Sequence, residues 1–169
     1  ETPKNSYRKL IETAKENNII FFSTPFDEPS ADFLDDLGVP AFKIGSGELT
    51  HHSLLRHVAK KGKPMIISTG AAELDWIEAA VRTVREAGND QIIVAHCVSM
   101  YPAPSNVANL RAIPALREHL GVPAGFSDHT LSTLVPIAAV ALGACLVEKH
   151  FTLSRALPEG DNDMSAEPK

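Results

Sequence analysis

The sequence is poor in the residues that would set it apart from ordinary globular chains. It has only two cysteines, Cys97 and Cys145, far apart and each inside an apolar run. That pattern fits buried free thiols in a reducing compartment and argues against a disulfide framework. One tryptophan, two tyrosines and a formal net charge of -5 leave no basic field interleaved with aromatics, so nucleic acid is excluded as a partner class. Long hydrophobic runs are missing too. The longest mainly apolar run, near Leu134 to Ala144, is too short to span a bilayer, and the first residues are polar rather than signal-like. The expectation is a cytoplasmic chain with no membrane partner. What remains is 169 residues, 44% hydrophobic and 22% charged, enough for one sizeable core. The chain starts at Glu1 without a methionine and reads as a piece of something longer.

One unit recurs along the chain. Runs rich in Ile, Val and Phe at Ile19 to Ser23, Ala41 to Ile44, Met65 to Ser68, Ile92 to Cys97, Ala124 to Ser127 and Leu146 to His150 are strand candidates. Between them, apolar residues three and four apart mark helix faces: Phe33, Leu34 and Leu37; Leu54, Leu55 and Val58; Ile77, Ala80, Val81 and Val84; Leu110, Ile113 and Leu116. Another helix, with Tyr7, Leu10, Ile11 and Ala14 on one stripe, precedes them all. Such alternation predicts parallel βα units.

An open doubly wound sheet and a (β/α)8 barrel both satisfy that pattern. The dinucleotide fingerprint of the open fold is absent, although "KIGSGE" has a superficial likeness to it. The strand endings favour the barrel. Alternate positions counted back from those endings give one inward set: Ile20, Phe22 and Thr24; Ala41 and Lys43; Ile66 and Ser68; Cys97, Ser99 and Tyr101; Gly125, Ser127 and His129; Leu146, Glu148 and His150. Polar groups collect at the carboxyl end of every strand. A packed core has no use for such a ring, whereas the active-site end of a barrel does.

His129 and His150, on neighbouring strands, share that parity and could present neutral imidazoles to one divalent metal. A strand-end histidine is also a common hydrogen-bonded structural residue, and two histidines are fewer than a closed zinc site needs. Lys43 on an inward face calls for an anion beside it. Ser46 and Ser68 suit helix caps equally well, Thr24 before Pro25 suits a turn, and Glu48 suits the first turn of a helix. Glu148 could brace a ligand imidazole or pair with a lysine. His51, His52, His57, His96 and His119 are expected on helix surfaces, at caps or facing outward, and Trp76 in the core or between helices.

Six stretches in order, "FFSTPFD", "FKIGSGE", "PMIISTG", "HCVSMYP", "GFSDHT" and "EKHFT", each at a strand end, resemble the sialic acid synthase family. The resemblance implies condensation of phosphoenolpyruvate with an N-acetylated amino sugar such as N-acetylmannosamine, releasing phosphate and a nine-carbon keto sugar acid. It implies Mn2+ or Mg2+ on His129 and His150, where the metal would act as a Lewis acid on the sugar aldehyde. Thr24, Lys43, Ser46, Ser68, Ser99 and Ser127 would hold phosphoenolpyruvate, Tyr101 and Asp161 would face the acceptor sugar, and Glu48 would handle the proton of an attacking water. Synthases of legionaminic or pseudaminic acid, another metal-dependent barrel aldolase, and a non-catalytic fragment are the alternative readings.

The sequence departs from the family pattern at "EGDND", where Asn162 stands in a position often held by histidine, which bears on the acceptor sugar. Six strands are visible where a closed barrel has eight. The resemblance places two more before Glu1 and a small antifreeze-like domain after Lys169, in a parent that is a homodimer. On that expectation residues 1–169 form a partial barrel, and this chain alone does not turn over.

Overall fold

The computed structural model describes residues 3–158 and 160–168. Five strands, β1 (Phe42–Ile44), β2 (Met65–Ser68), β3 (Ile92–Cys97), β4 (Ala124–Asp128) and β5 (Val147–Lys149), lie side by side in chain order, and every pair is parallel. The helices are α1 (Ser6–Glu16), α2 (Glu28–Asp36), α3 (His52–Ala59), α4 (Leu74–Glu86), α5 (Ala112–Leu120) and α6 (Leu134–Ala141). Local chemistry sets several ends. The Asp27 carboxylate accepts the Ser30 N–H at 2.7 Å to cap α2. The helix α5 stops at Gly121, whose φ of 62° is a left-handed conformation that glycine adopts without strain.

The core lies between the outer face of the sheet and the helices. Phe42, Ile44, Met65, Ile67, Val94 and Phe126 from the strands pack against Leu54, Leu55, Val58, Val84 and Ile113, all fully or almost fully buried. The alternate strand positions therefore face the other way. Their direction shows in one contact: Lys43 of β1 reaches Glu148 of β5, with Nζ 3.1 Å from Oε2. Four strand spacings across a flat sheet would part these residues by about 19 Å, beyond the reach of the two side chains. The sheet must curl. The molecule is an α/β chain whose parallel strands form an arc of a barrel, with polar residues on the concave face.

The expected strand at Ile19 to Ser23 is reduced to a single bridge between Ser23 and Phe42. Its Ser23 carbonyl accepts the Lys43 N–H at 3.2 Å, but Ile19 and Ile20 are exposed. Among the described residues only Ser23 of this segment bridges to β1, and the residues before it form no ladder. At the opposite edge Val147 is exposed, as are Leu134, Ile137 and Val140 on α6. Two other expectations fail at the surface. Cys145, in the turn between α6 and β5, is exposed rather than buried, although both cysteines are free as expected. Trp76 is not core: it stands half exposed at the start of α4.

His96 points outward from β3 into the helix layer, where its Nε2 lies 2.9 Å from the Ala108 carbonyl and its ring tilts over Phe126. Burial pushes its pKa below the ordinary 6.5, against the opposing pull of the Ala108 hydrogen bond. The unfolded chain therefore takes up a proton near pH 6.5 that the folded chain refuses. His96 should thus lend full stability above that pH and lose it as pH falls through the window below, by at most about 1.4 kcal/mol per unit. Denaturant melts at pH 7.5 and 5 should show a smaller acid loss for His96→Asn than for the native chain; equal losses would refute this.

Candidate active site

The strand ends of the concave face enclose a cavity of about 870 Å³. Of the residues singled out from the sequence, Thr24, Lys43, Ser46, Ser68, Ser99, Tyr101, Ser127, His129 and His150 line it. Register explains the convergence. Cys97 of β3 stands opposite Ser127 of β4, and Ser127 opposite Glu148 of β5, so one level of the arc presents three functional side chains in a row.

The segment "SDHT" shows how an apolar strand can end in polar groups. Ser127 faces inward and donates to Glu148 Oε1 at 2.6 Å. Asp128 faces outward and is fully buried, accepting the Thr130 N–H at 2.9 Å and the Lys149 ammonium at 3.1 Å. That clamp fixes the turn, and His129 projects inward again. The His129 Nδ1 sits 2.7 Å from the Val98 carbonyl, which accepts and so assigns the proton to Nδ1. Its Nε2 lies 3.5 Å from Ser127 Oγ, whose proton goes to Glu148, so the Nε2 lone pair receives no proton from that serine. Tyr101 stacks on this ring at 4.2 Å between centroids and meets His150 edge-on.

The rings of His129 and His150 lie 5.3 Å apart between centroids, nearly perpendicular, on the same wall. His150 is held by Asp161, with Nδ1 3.4 Å from Oδ2. Burial and the neighbouring His129 both push the His150 pKa down, outweighing the opposite pull of Asp161 and Glu148. Two imidazoles that share a wall suit a divalent cation whose remaining ligands are oxygens. No cluster of three or more His, Cys, Asp or Glu suited to a metal occurs among the described residues.

Glu148 is the one carboxylate among the lining residues. It binds Lys43 through both oxygens, at 3.1 and 3.4 Å, and accepts from Ser127. Burial pushes its pKa up, but Lys43, the Ser127 hydroxyl and His150 outweigh that and hold it below the ordinary carboxylate value. The Lys43 side chain is itself only 12% exposed. This wall therefore holds a buried cation and its counterion beside the hydroxyls of Ser46, Ser68, Ser99 and Thr24, a donor set suited to a small anion. The Ser68 hydroxyl is buried without a hydrogen-bond partner and faces this space, the kind of orphan that a ligand oxygen would satisfy.

Two sequence-derived residues stand apart. Glu48 lies outside the lining, in the short turn after β1, where its carboxylate pairs with His51 Nδ1 at 3.3 Å. Asp161 lies outside the lining and reaches the site through His150. Asn162 accepts from the Thr152 hydroxyl at 2.6 Å and ties the segment after β5 together. Conversely, Phe26 and Trp76 line the cavity without having been singled out for it. Their aromatic character gave no periodic signal, since both sit where a loop meets a helix.

The NeuB family model matches residues 1–169. An N,N'-diacetyllegionaminic acid synthase of Campylobacter jejuni is 43% identical over 100% of this chain and 51% of its own length. Among solved structures, the spore coat polysaccharide biosynthesis protein SpsE of Bacillus subtilis superimposes with a TM-score of 0.95 at 44% identity, covering 99% of this chain and 47% of that one. An N-acetylneuraminic acid synthetase of Leptospira borgpetersenii, in complex with citrate, superimposes with a TM-score of 0.94 at 39% identity, covering 99% and 58%. The chain thus spans about half the length of the relatives it matches.

Proposed function

Because the chain belongs to the NeuB family, we propose that it is the catalytic segment of a synthase that condenses phosphoenolpyruvate with an N-acetylated amino sugar and water, giving a nine-carbon keto sugar acid and phosphate. The observation that carries this reading is the anion wall, Lys43 and its hydroxyls, lining one cavity together with two histidines that share a wall.

In this reading Lys43, with Ser46, Ser68, Ser99 and Thr24, binds the phosphate and carboxylate of phosphoenolpyruvate, and Tyr101 and Asp161 flank the acceptor. His129 and His150 would hold Mn2+ or Mg2+, which supplies Lewis acidity toward the sugar aldehyde. Fixing the methylene carbon over the aldehyde makes the encounter intramolecular, an effect that can be worth about 7 to 11 kcal/mol. The methylene carbon bonds to the aldehyde carbon, whose oxygen takes a proton and becomes a hydroxyl. Water then adds to the former enol carbon and loses a proton. Breaking the carbon–oxygen bond to phosphate, as the added hydroxyl gives its remaining proton to the departing phosphate, releases inorganic phosphate and leaves the keto group. Glu48 takes the water proton once it releases His51 and turns inward. In the complete protein a second copy of the chain completes a homodimer.

N-acetylmannosamine is the acceptor we assign. The similarity to the Campylobacter enzyme favours a diacetamido sugar as the second reading. Competition decides between them: phosphate release by the complete protein with both sugars present should follow N-acetylmannosamine, and preference for the diacetamido sugar would reverse the assignment. No phosphate release with either sugar would overturn the synthase reading itself.

A further inference from the structure

The cavity contains a thiol to which the reaction above gives no part. Cys97, at the end of β3, is 6% exposed, lines the cavity and lies with its Sγ 3.3 Å from Ser46 Oγ. The same Ser46 oxygen accepts the Gly70 N–H at 2.9 Å. Gly70 admits this arrangement because it has no side chain. A Cβ there would fall 2.4 Å from Ser99 Oγ, 2.7 Å from Cys97 Sγ and 2.9 Å from Ser46 Oγ. Three polar atoms from the ends of β1 and β3 thus converge on one backbone carbon at the end of β2.

A serine hydroxyl has one proton to give and two lone pairs to receive with. Gly70 fills one lone pair. If Cys97 S–H fills the second, the hydroxyl proton is the only capacity left, and it must point away from both donors, into the cavity. In the opposite arrangement Ser46 spends its proton on sulfur, a weak acceptor. An anion in the cavity favours the first arrangement, since a charged oxygen is the stronger acceptor.

We propose that Cys97 is a positioning residue for the anion end of the site: its thiol donates to Ser46 Oγ and so commits the Ser46 proton to the phosphate or carboxylate of the bound ligand. This rests on the synthase reading and adds a role for a residue that touches the ligand through Ser46. Replacing the thiol by a methyl frees the hydroxyl to rotate, which weakens the anion contact without moving Lys43 or the histidines. The loss should fall on phosphoenolpyruvate binding alone.

The test compares Cys97→Ala and Cys97→Ser in the complete protein. Cys97→Ala should raise KM for phosphoenolpyruvate about three- to tenfold, the range of one neutral hydrogen bond, with kcat and the sugar KM within about twofold. Cys97→Ser keeps a donor at the same place and should restore most of the affinity. Labelling by methyl methanethiosulfonate, read by site-resolved mass spectrometry, gives a second readout. Phosphoenolpyruvate should slow labelling at Cys97 and leave the exposed Cys145 unchanged. The proposal is overturned if Cys97→Ala binds phosphoenolpyruvate as the native protein does, if kcat falls with KM unchanged, if serine fails to rescue, or if bound phosphoenolpyruvate leaves Cys97 labelling unaffected. A native protein that binds no phosphoenolpyruvate by calorimetry would overturn the synthase reading and this inference together, an outcome distinct from the others.

Discussion

Removing either imidazole, as His129→Ala or His150→Ala, should weaken Mn2+ binding by on the order of a hundredfold or more, since loss of even an outer-shell partner of a metal ligand typically weakens binding 10- to 100-fold. Phosphate release by the complete protein should fall by at least about a thousandfold, because Lewis-acid polarisation supplies several kcal/mol of charge stabilisation. The two variants are expected to differ in their secondary damage. His129 is anchored by Val98 and stacked on Tyr101, so its loss also frees the tyrosine. His150 is held by the half-exposed Asp161, and its loss disturbs less. Titration of free Mn2+ by electron paramagnetic resonance checks both. If either variant retains native Mn2+ affinity, the histidines are structural and the proposed metal centre is wrong.

That the two histidines would share a wall was legible in the sequence, because strand side chains alternate with period two and the ends of Ala124–Ser127 and Leu146–His150 fix the phase. The same rule placed Lys43, Ser68, Ser127 and Glu148 on the concave face. What it could not give was distance. The contact between Lys43 and Glu148 depends on curl accumulated over four strand pairs, so their pairing was only one of the alternatives open for Glu148. Side chains off the strands were the least legible. Trp76 and Phe26 sit in loop-to-helix junctions, where no period tells cavity from core. Glu48 sits in a turn where His51 competes for it. At Ile19 to Ser23 the composition predicted a strand, yet a ladder also needs partners, and composition does not count them.

Lys43→Met should weaken phosphoenolpyruvate binding by about 1.5 to 3 kcal/mol, the worth of one charge-assisted contact, or roughly 10- to 150-fold in Kd, while sugar binding stays near native. The interpretation is complicated by Glu148. In the native chain this carboxylate shares Lys43 and the Ser127 hydroxyl, so the methionine leaves it with Ser127 alone and adds a negative charge, no longer balanced, to the wall that must receive an anion. Part of the lost affinity would then be repulsion rather than a missing contact. Glu148→Gln in the Lys43→Met background separates the two. The double variant removes the stranded charge and should recover stability and the repulsive share of affinity, but not the contact that Lys43 itself makes. If Lys43→Met binds phosphoenolpyruvate as tightly as the native protein, the lysine serves only to neutralise Glu148. If the double variant regains full affinity, repulsion was the whole effect, and the anion is held by the hydroxyls of Ser46, Ser68, Ser99 and Thr24 without the lysine. Calorimetric titration of the three proteins with phosphoenolpyruvate distinguishes these outcomes, and a residual deficit of at least tenfold in the double variant is the result that assigns the anion to Lys43.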